Sequence, residues 1–160
     1  MKTVTDSIRI MAPLEQVYGY CWNAEMWPRI TPHVRQIDLL DAKNDSQRIR
    51  MVVENEGKLH TVESIRHTVP GVSITYQQTT PPPFLSEHSG EWRFSFAGAE
   101  TRVELTHRFE IRKEVARQVL GLAEGADVDE YVGERLKQNG LFTLFAVKRT
   151  LEQKQQPSPE

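Results

Sequence analysis

A single cysteine in 160 residues, Cys21, leaves no thiol for an internal disulfide and none for a metal site built on several thiolates. It sits among apolar residues at helical spacing and reads as a small core residue rather than a nucleophile. The five histidines do not follow a ligand spacing such as His-Glu-x-x-His, so no metal is expected. No glycine-rich phosphate loop is present, and no dissociable cofactor is expected either. The formal net charge of −2 gives no electrostatic case for nucleic acid. No apolar run approaches the ~20 residues that span a bilayer, and no basic-then-apolar leader opens the chain. A cytoplasmic protein without membrane insertion is therefore expected. The remaining composition, 38% hydrophobic and 26% charged, is that of a globular domain long enough for a core plus a pocket.

The pattern along the chain supplies the architecture. Residues 3–11 alternate, with Val4, Ile8 and Ile10 on one face. Pro13 suits the first turn of a helix carrying Leu14, Val17, Tyr18 and Cys21. A second short helix carries Met26 and Trp27 and is broken by Pro28 and Pro32. Residues 34–40 form a weak strand, Asp41 to Asp45 a turn, and Ile49, Met51 and Val53 a strand face. Asn55-Glu56-Gly57-Lys58 is a hairpin turn before a strand over 59–69, and Pro70-Gly71 is the next turn. Val72, Ile74 and Tyr76 share one face of the following strand, and Pro81-Pro82-Pro83 halts pairing. Residues 86–97 place Trp92, Phe94 and Phe96 on one face. Val103, Leu105, His107, Phe109 and Ile111 then show the cleanest period of two in the chain.

After that strand the period lengthens. Residues 113–123 form a short helix or ordered loop, and Asp127, with Glu130 three positions on, caps a helix from about Val128 to Lys154. Its broad apolar face includes Val128, Tyr131, Val132, Leu136, Leu141, Phe142, Leu144, Phe145, Val147 and Leu151. Gly140 interrupts it, as a kink, as a point of close approach, or as a tolerated glycine. One strand, two short helices, about six strands and a long helix make an α+β fold: an antiparallel sheet curled around the terminal helix. Residues 1–154 are expected to form one domain and 155–160 a loose tail.

This order resembles the START-like, helix-grip (Bet v 1-like) superfamily of polyketide cyclases and lipid-binding proteins, and within it the bacterial aromatic polyketide aromatase/cyclases. The residues that carry the likeness are Thr5-Asp6-Ser7-Ile8, Ala12-Pro13-Leu14-Glu15-Gln16-Val17-Tyr18, Glu25-Met26-Trp27-Pro28, Ser64-Ile65-Arg66, Pro83-Phe84, Glu91-Trp92-Arg93-Phe94 and Phe109-Glu110-Ile111-Arg112. The layout matches over about residues 5–153. The resemblance implies a deep cavity between sheet and long helix, a central inward arginine at Arg66 with Ser64 beside it, and cavity aromatics at Trp27, Phe84 and Trp92. The chain departs from the family pattern elsewhere. A tyrosine after the Trp-Pro helix is replaced by Val34, next to His33, and tryptophans before the strand-four serine by His60 and Val62. A second pocket arginine falls near Thr79, and a last-strand glutamine is His107.

Strand parity alone puts His60, Val62, Ser64, Arg66 and Thr68 on one face. An inward Arg66 cannot shed its charge, so it needs a partner, which the oxygens of a β-ketone chain would supply. The plainer alternative is an outward Arg66 beside Glu63 or Glu91. His107, between Leu105 and Phe109, is either a base and acid for carbon-acid chemistry or a core histidine with satisfied hydrogen bonds. His33 is placed at a cavity mouth, His67 faces outward, and Ser64 bonds substrate or orients Arg66. Tyr76, Phe84, Trp92 and Trp27 are expected as flat walls, Phe94 and Phe109 as core, and Tyr131 at the cavity or its rim.

The leading expectation is a cofactor-free aromatase/cyclase that folds a poly-β-ketone held on an acyl carrier protein and closes, dehydrates and aromatises a ring. A ketosynthase complex is a further candidate partner. Arg29, Arg35, Lys113 and Arg117 are candidates to meet an acidic carrier. The rival is a non-enzymatic binder or carrier of a lipid or quinone on the same fold. A protein-interaction module, with a closed core instead of a cavity, is the third reading.

Overall fold

The computed structural model describes residues 1–29, 31–55 and 57–155. The expected tail from 156 onward and Glu56 of the expected hairpin turn lie outside the described residues. Seven strands are present: β1 (Lys2–Ile10), β2 (Val34–Ala42), β3 (Ser46–Asn55), β4 (Lys58–Val69), β5 (Ser73–Thr80), β6 (Leu85–Ala97) and β7 (Glu100–Ile111). Between β1 and β2 come helix α1 (Leu14–Trp22) and a 3-10 helix (Ala24–Arg29) containing Pro28; after β7 come α2 (Lys113–Val119) and α3 (Val128–Gln155). The sheet order is β1-β7-β6-β5-β4-β3-β2, every neighbouring pair antiparallel. This is the α+β helix-grip arrangement expected from the element order.

Local chemistry explains the boundaries. Asp127 caps α3 as its spacing suggests, Oδ1 accepting from the Glu130 N–H at 3.1 Å. Strand β2 runs to Ala42, two residues into the expected turn, because register shifts after Val34 and Leu39 absorb the irregularity within an edge strand. Val72 sits in the β4–β5 turn and is exposed, although its carbonyl accepts from Phe94 N–H. Phe96, expected beside Trp92 and Phe94, is 80% exposed, because it lies at the β6–β7 hairpin beyond the reach of α1 and α3. Phe142 and Phe145 face outward on α3, while Leu144, Val147 and Leu151 face the sheet.

The core comes in two parts. One packs α1 and the C-terminal half of α3 on the sheet through Ile10, Val17, Cys21, Ile74, Val103, Leu144, Val147 and Leu151. The other gathers Phe84, Leu85, Phe109, Ala116, Leu120, Val128, Val132 and Leu136 around α2 and the N-terminal half of α3. Where the two parts meet, α3 presents Leu136, Asn139, Gly140 and Thr143 to the sheet, a stripe at helical spacing that is mostly small or polar. That stripe does not fill the space as leucines would, and a cavity remains.

Candidate active site

The cavity measures about 870 Å³, counting the space at its opening. Of the site residues expected from sequence, Arg66, Ser64, His107, Trp27, His33, Tyr76, Phe84 and Trp92 all line it. Tyr131 does not. It packs with the Phe84 part of the core, and it lies roughly 140° around α3 from Leu136, off the stripe that faces the cavity.

Cross-strand partners share a face of the sheet, so register places Gln47, Arg66, Tyr76, Gly90 and His107 in one inward row across β3 to β7. Gly90 makes this row work. A Cβ there would fall 2.5 Å from the Tyr76 hydroxyl oxygen and would clash with the Thr106 carbonyl oxygen. Without it, the tyrosine ring lies across β6 and its hydroxyl reaches Nδ1 of His107 at 2.6 Å.

Arg66 is 2% exposed and inward, as the family resemblance implied, but its partners are not those expected. Nη1 donates to Gln47 Oε1 at 2.7 Å and to the Trp22 carbonyl at 3.2 Å, and Nη2 donates to the Cys21 carbonyl at 2.9 Å. Cys21 and Trp22 end α1, where helix carbonyls lack intrahelical donors and a positive charge is favoured. The guanidinium also lies 5.2 Å and 5.0 Å from the ring centres of Trp22 and Trp27. Burial lowers its pKa to about 10, which leaves it charged near neutrality. Glu63 and Glu91 are engaged instead with Arg50 and Arg93. Arg66 thus ties α1 to the sheet while presenting positive charge at the cavity wall.

His107 lies opposite α3. Its Nε2 is buried without a hydrogen-bond partner, and a Cβ at Gly140 would come within 2.8 Å of that atom. Gly140 is therefore a point of close approach between α3 and β7. Burial pulls the His107 pKa down to about 4, so the ring is neutral at physiological pH. Trp27 Nε1 and His33 Nδ1 are likewise buried without partners, and both residues line the same cavity. His33, like His107, is held near pKa 4 by burial.

Sequence reasoning missed His88 and Gln78. His88 is 7% exposed, with Nε2 3.2 Å from the Tyr76 hydroxyl and Nδ1 2.8 Å from Gln78 Oε1. The available signal was parity on β6, where His88, Gly90, Trp92 and Phe94 alternate inward. His67 faces outward and Phe94 and Phe109 are core, as expected. Among the candidate carrier contacts, Arg35 pairs with Glu54, Lys113 with Asp129, and Arg117 donates to carbonyls of the loop before α3. The Arg29 side chain lies outside the described residues. Among the described residues no cluster of metal-ligating side chains occurs, and no helix is long and apolar enough to cross a membrane.

Residues 1–144 match the family described as polyketide cyclase/dehydrase and lipid transport. The chain belongs to that family. The family member is 30% identical over 154 residues to the actinorhodin polyketide synthase bifunctional cyclase/dehydratase of Streptomyces coelicolor (strain ATCC BAA-471 / A3(2) / M145), covering 89% of this chain and 47% of that protein. Among solved structures, the di-domain aromatase/cyclase BexL from the BE-7585A biosynthetic pathway matches at 32% identity with a TM-score of 0.83, over 99% of this chain and 51% of that one. The Zhui aromatase/cyclase from Streptomyces sp. R1128 matches at 25% identity with a TM-score of 0.84, over 97% of this chain and 96% of that one. The chain thus spans about half the length of the curated relative and of BexL, and nearly all of Zhui.

Proposed function

We propose that this protein is a polyketide aromatase/cyclase that closes a ring in a poly-β-ketone delivered by an acyl carrier protein, then removes water from it. The observation that carries this reading is His107 on the wall of a largely apolar cavity, its Nε2 buried without a partner. A methylene between two carbonyls is a carbon acid that an imidazole can deprotonate; the burial that keeps His107 unprotonated also makes it a weaker base than a free imidazole. Trp27 Nε1–H is a free donor for a ketone oxygen, and the Arg66 charge favours the enolate electrostatically. The aromatic walls fold the flexible chain so that enolate carbon and distant carbonyl meet, which removes much of the entropic barrier. Ser64 and His33 add polar contacts for further oxygens. No residue of this set requires a dissociable cofactor.

The rival reading, a carrier of a hydrophobic ligand, draws on one observation: Arg66 spends three N–H groups on the protein itself. A single experiment separates the two. Carrier-bound poly-β-ketone is incubated with wild type and with His107→Ala, and the products are resolved by mass spectrometry. Ring closure to a defined aromatic product by wild type, lost in the variant, supports the enzyme. The same product mixture with wild type, variant and no protein leaves the carrier reading.

A further inference from the structure

His88, Tyr76 and Gln78 line the same cavity as His107 and form a continuous polar chain that ends on it. The contacts are Gln78 Oε1 to His88 Nδ1 at 2.8 Å, His88 Nε2 to Tyr76 Oη at 3.2 Å, and Tyr76 Oη to His107 Nδ1 at 2.6 Å. His88 Nε2 and His107 Nδ1 are themselves 3.2 Å apart. We infer that this chain is a tautomer lock: it holds the proton of His107 on Nδ1 and so leaves the Nε2 lone pair bare at the cavity.

The direction follows from donor and acceptor counting. Gln78 Oε1 only accepts, so His88 Nδ1 must carry the proton. A neutral His88 then has a bare Nε2, which needs a donor. Tyr76 supplies it, since burial raises its pKa and keeps the hydroxyl protonated. With its proton committed to His88, Tyr76 Oη accepts from His107 Nδ1–H. Every donor in the chain then has an acceptor. The opposite tautomer would leave His88 Nε2 without a donor and bury a His107 Nε2–H without an acceptor, at a cost of about 1–3 kcal/mol. His88 and Gln78 are thus positioning residues, acting through Tyr76 on the atom that meets substrate. Gly90 belongs to the device as well, because its missing Cβ lets Tyr76 cross β6.

This inference rests on the enzyme reading only for its purpose; the tautomer itself is measurable without substrate. Nitrogen-15 NMR of the free protein at neutral pH, with the imidazole signals assigned by substitution, should show His107 protonated at Nδ1 and bare at Nε2. His88→Leu removes the acceptor for Tyr76 and frees its proton for His107 Nδ1, so the Nδ1–H form loses its advantage and the Nε2–H form of His107 should become populated. His88→Gln, whose carbonyl accepts from Tyr76, should keep the wild-type tautomer. Gln78→Leu, at a partly exposed position, gives a second perturbation should His88→Leu not fold, and should weaken the wild-type tautomer. Ring closure should fall at least tenfold in His88→Leu, with less loss in His88→Gln. A wild-type His107 protonated at Nε2, or a His88→Leu protein in which the Nε2–H form stays as rare as in wild type, overturns the lock. The expected tautomers without any ring closure by wild type would instead overturn the proposed function and leave the lock standing.

Discussion

Gly140→Ala tests the geometry of the site at one methyl group. The added Cβ would stand 2.8 Å from His107 Nε2 and 3.0 Å from Leu105 Cδ2, both inside normal contact distance. Alanine gains ~1 kcal/mol of helix propensity over glycine, while overpacking a filled site costs ~1–3 kcal/mol. The net is a loss of about 0–2 kcal/mol, or on the order of 5 °C in Tm for a chain of this size. Activity should suffer more than stability, because the methyl group occupies the approach to Nε2. Gly133→Ala is the internal control on the same helix: its Cβ would meet only Phe109 Cζ, at an ordinary 3.7 Å. That variant should gain up to about 1 kcal/mol and rise by ~2–4 °C. Thermal melts of both variants, with ring-closure rates on carrier-bound poly-β-ketone, provide the comparison. If Gly140→Ala gains as much stability as Gly133→Ala and keeps full activity, α3 does not press on His107 and the reasoning fails.

Further outcomes follow from the same contacts. Arg66→Met should lower stability by about 3 kcal/mol, because the Cys21 and Trp22 carbonyls lose their donors, so its loss of activity should come with a lower Tm in a thermal melt. Gly90→Ala should cost about 3 kcal/mol, since its Cβ meets backbone at Thr106 O as well as Tyr76, and a denaturant titration measures it. His88 has a folded pKa of about 3 against an ordinary 6.5, so it contributes stability above pH 6.5 that is lost as pH falls toward the folded value. At pH 5 that loss is on the order of 2 kcal/mol, and melts at pH 7 and pH 5 should show a smaller pH effect in His88→Gln than in wild type. The base form of His107, with pKa about 4, should keep ring closure active well below pH 6.5, which a pH–rate profile reads directly.

Much of this molecule was legible in its sequence. The period of two in residues 103–111 put His107 on the apolar face, the parity of residues 60–68 put Arg66 on the same face as Val62, and Asp127 marked the start of α3. Each is a local property, set by backbone periodicity and capping within a few residues. What the side chains touch was decided only by the tertiary structure. Arg66 turns to the end of α1 because that helix packs its carbonyls over β3 and β4. Phe142 and Phe145 face outward and Tyr131 misses the cavity because the rotation of α3 on the sheet is set by the whole packed face. His88, Tyr76 and His107 meet because the register of three strands, and a glycine between them, places them together. Periodicity tells which way a residue points; only the pairing of distant segments, which costs chain entropy and is recovered in burial, determines its partner.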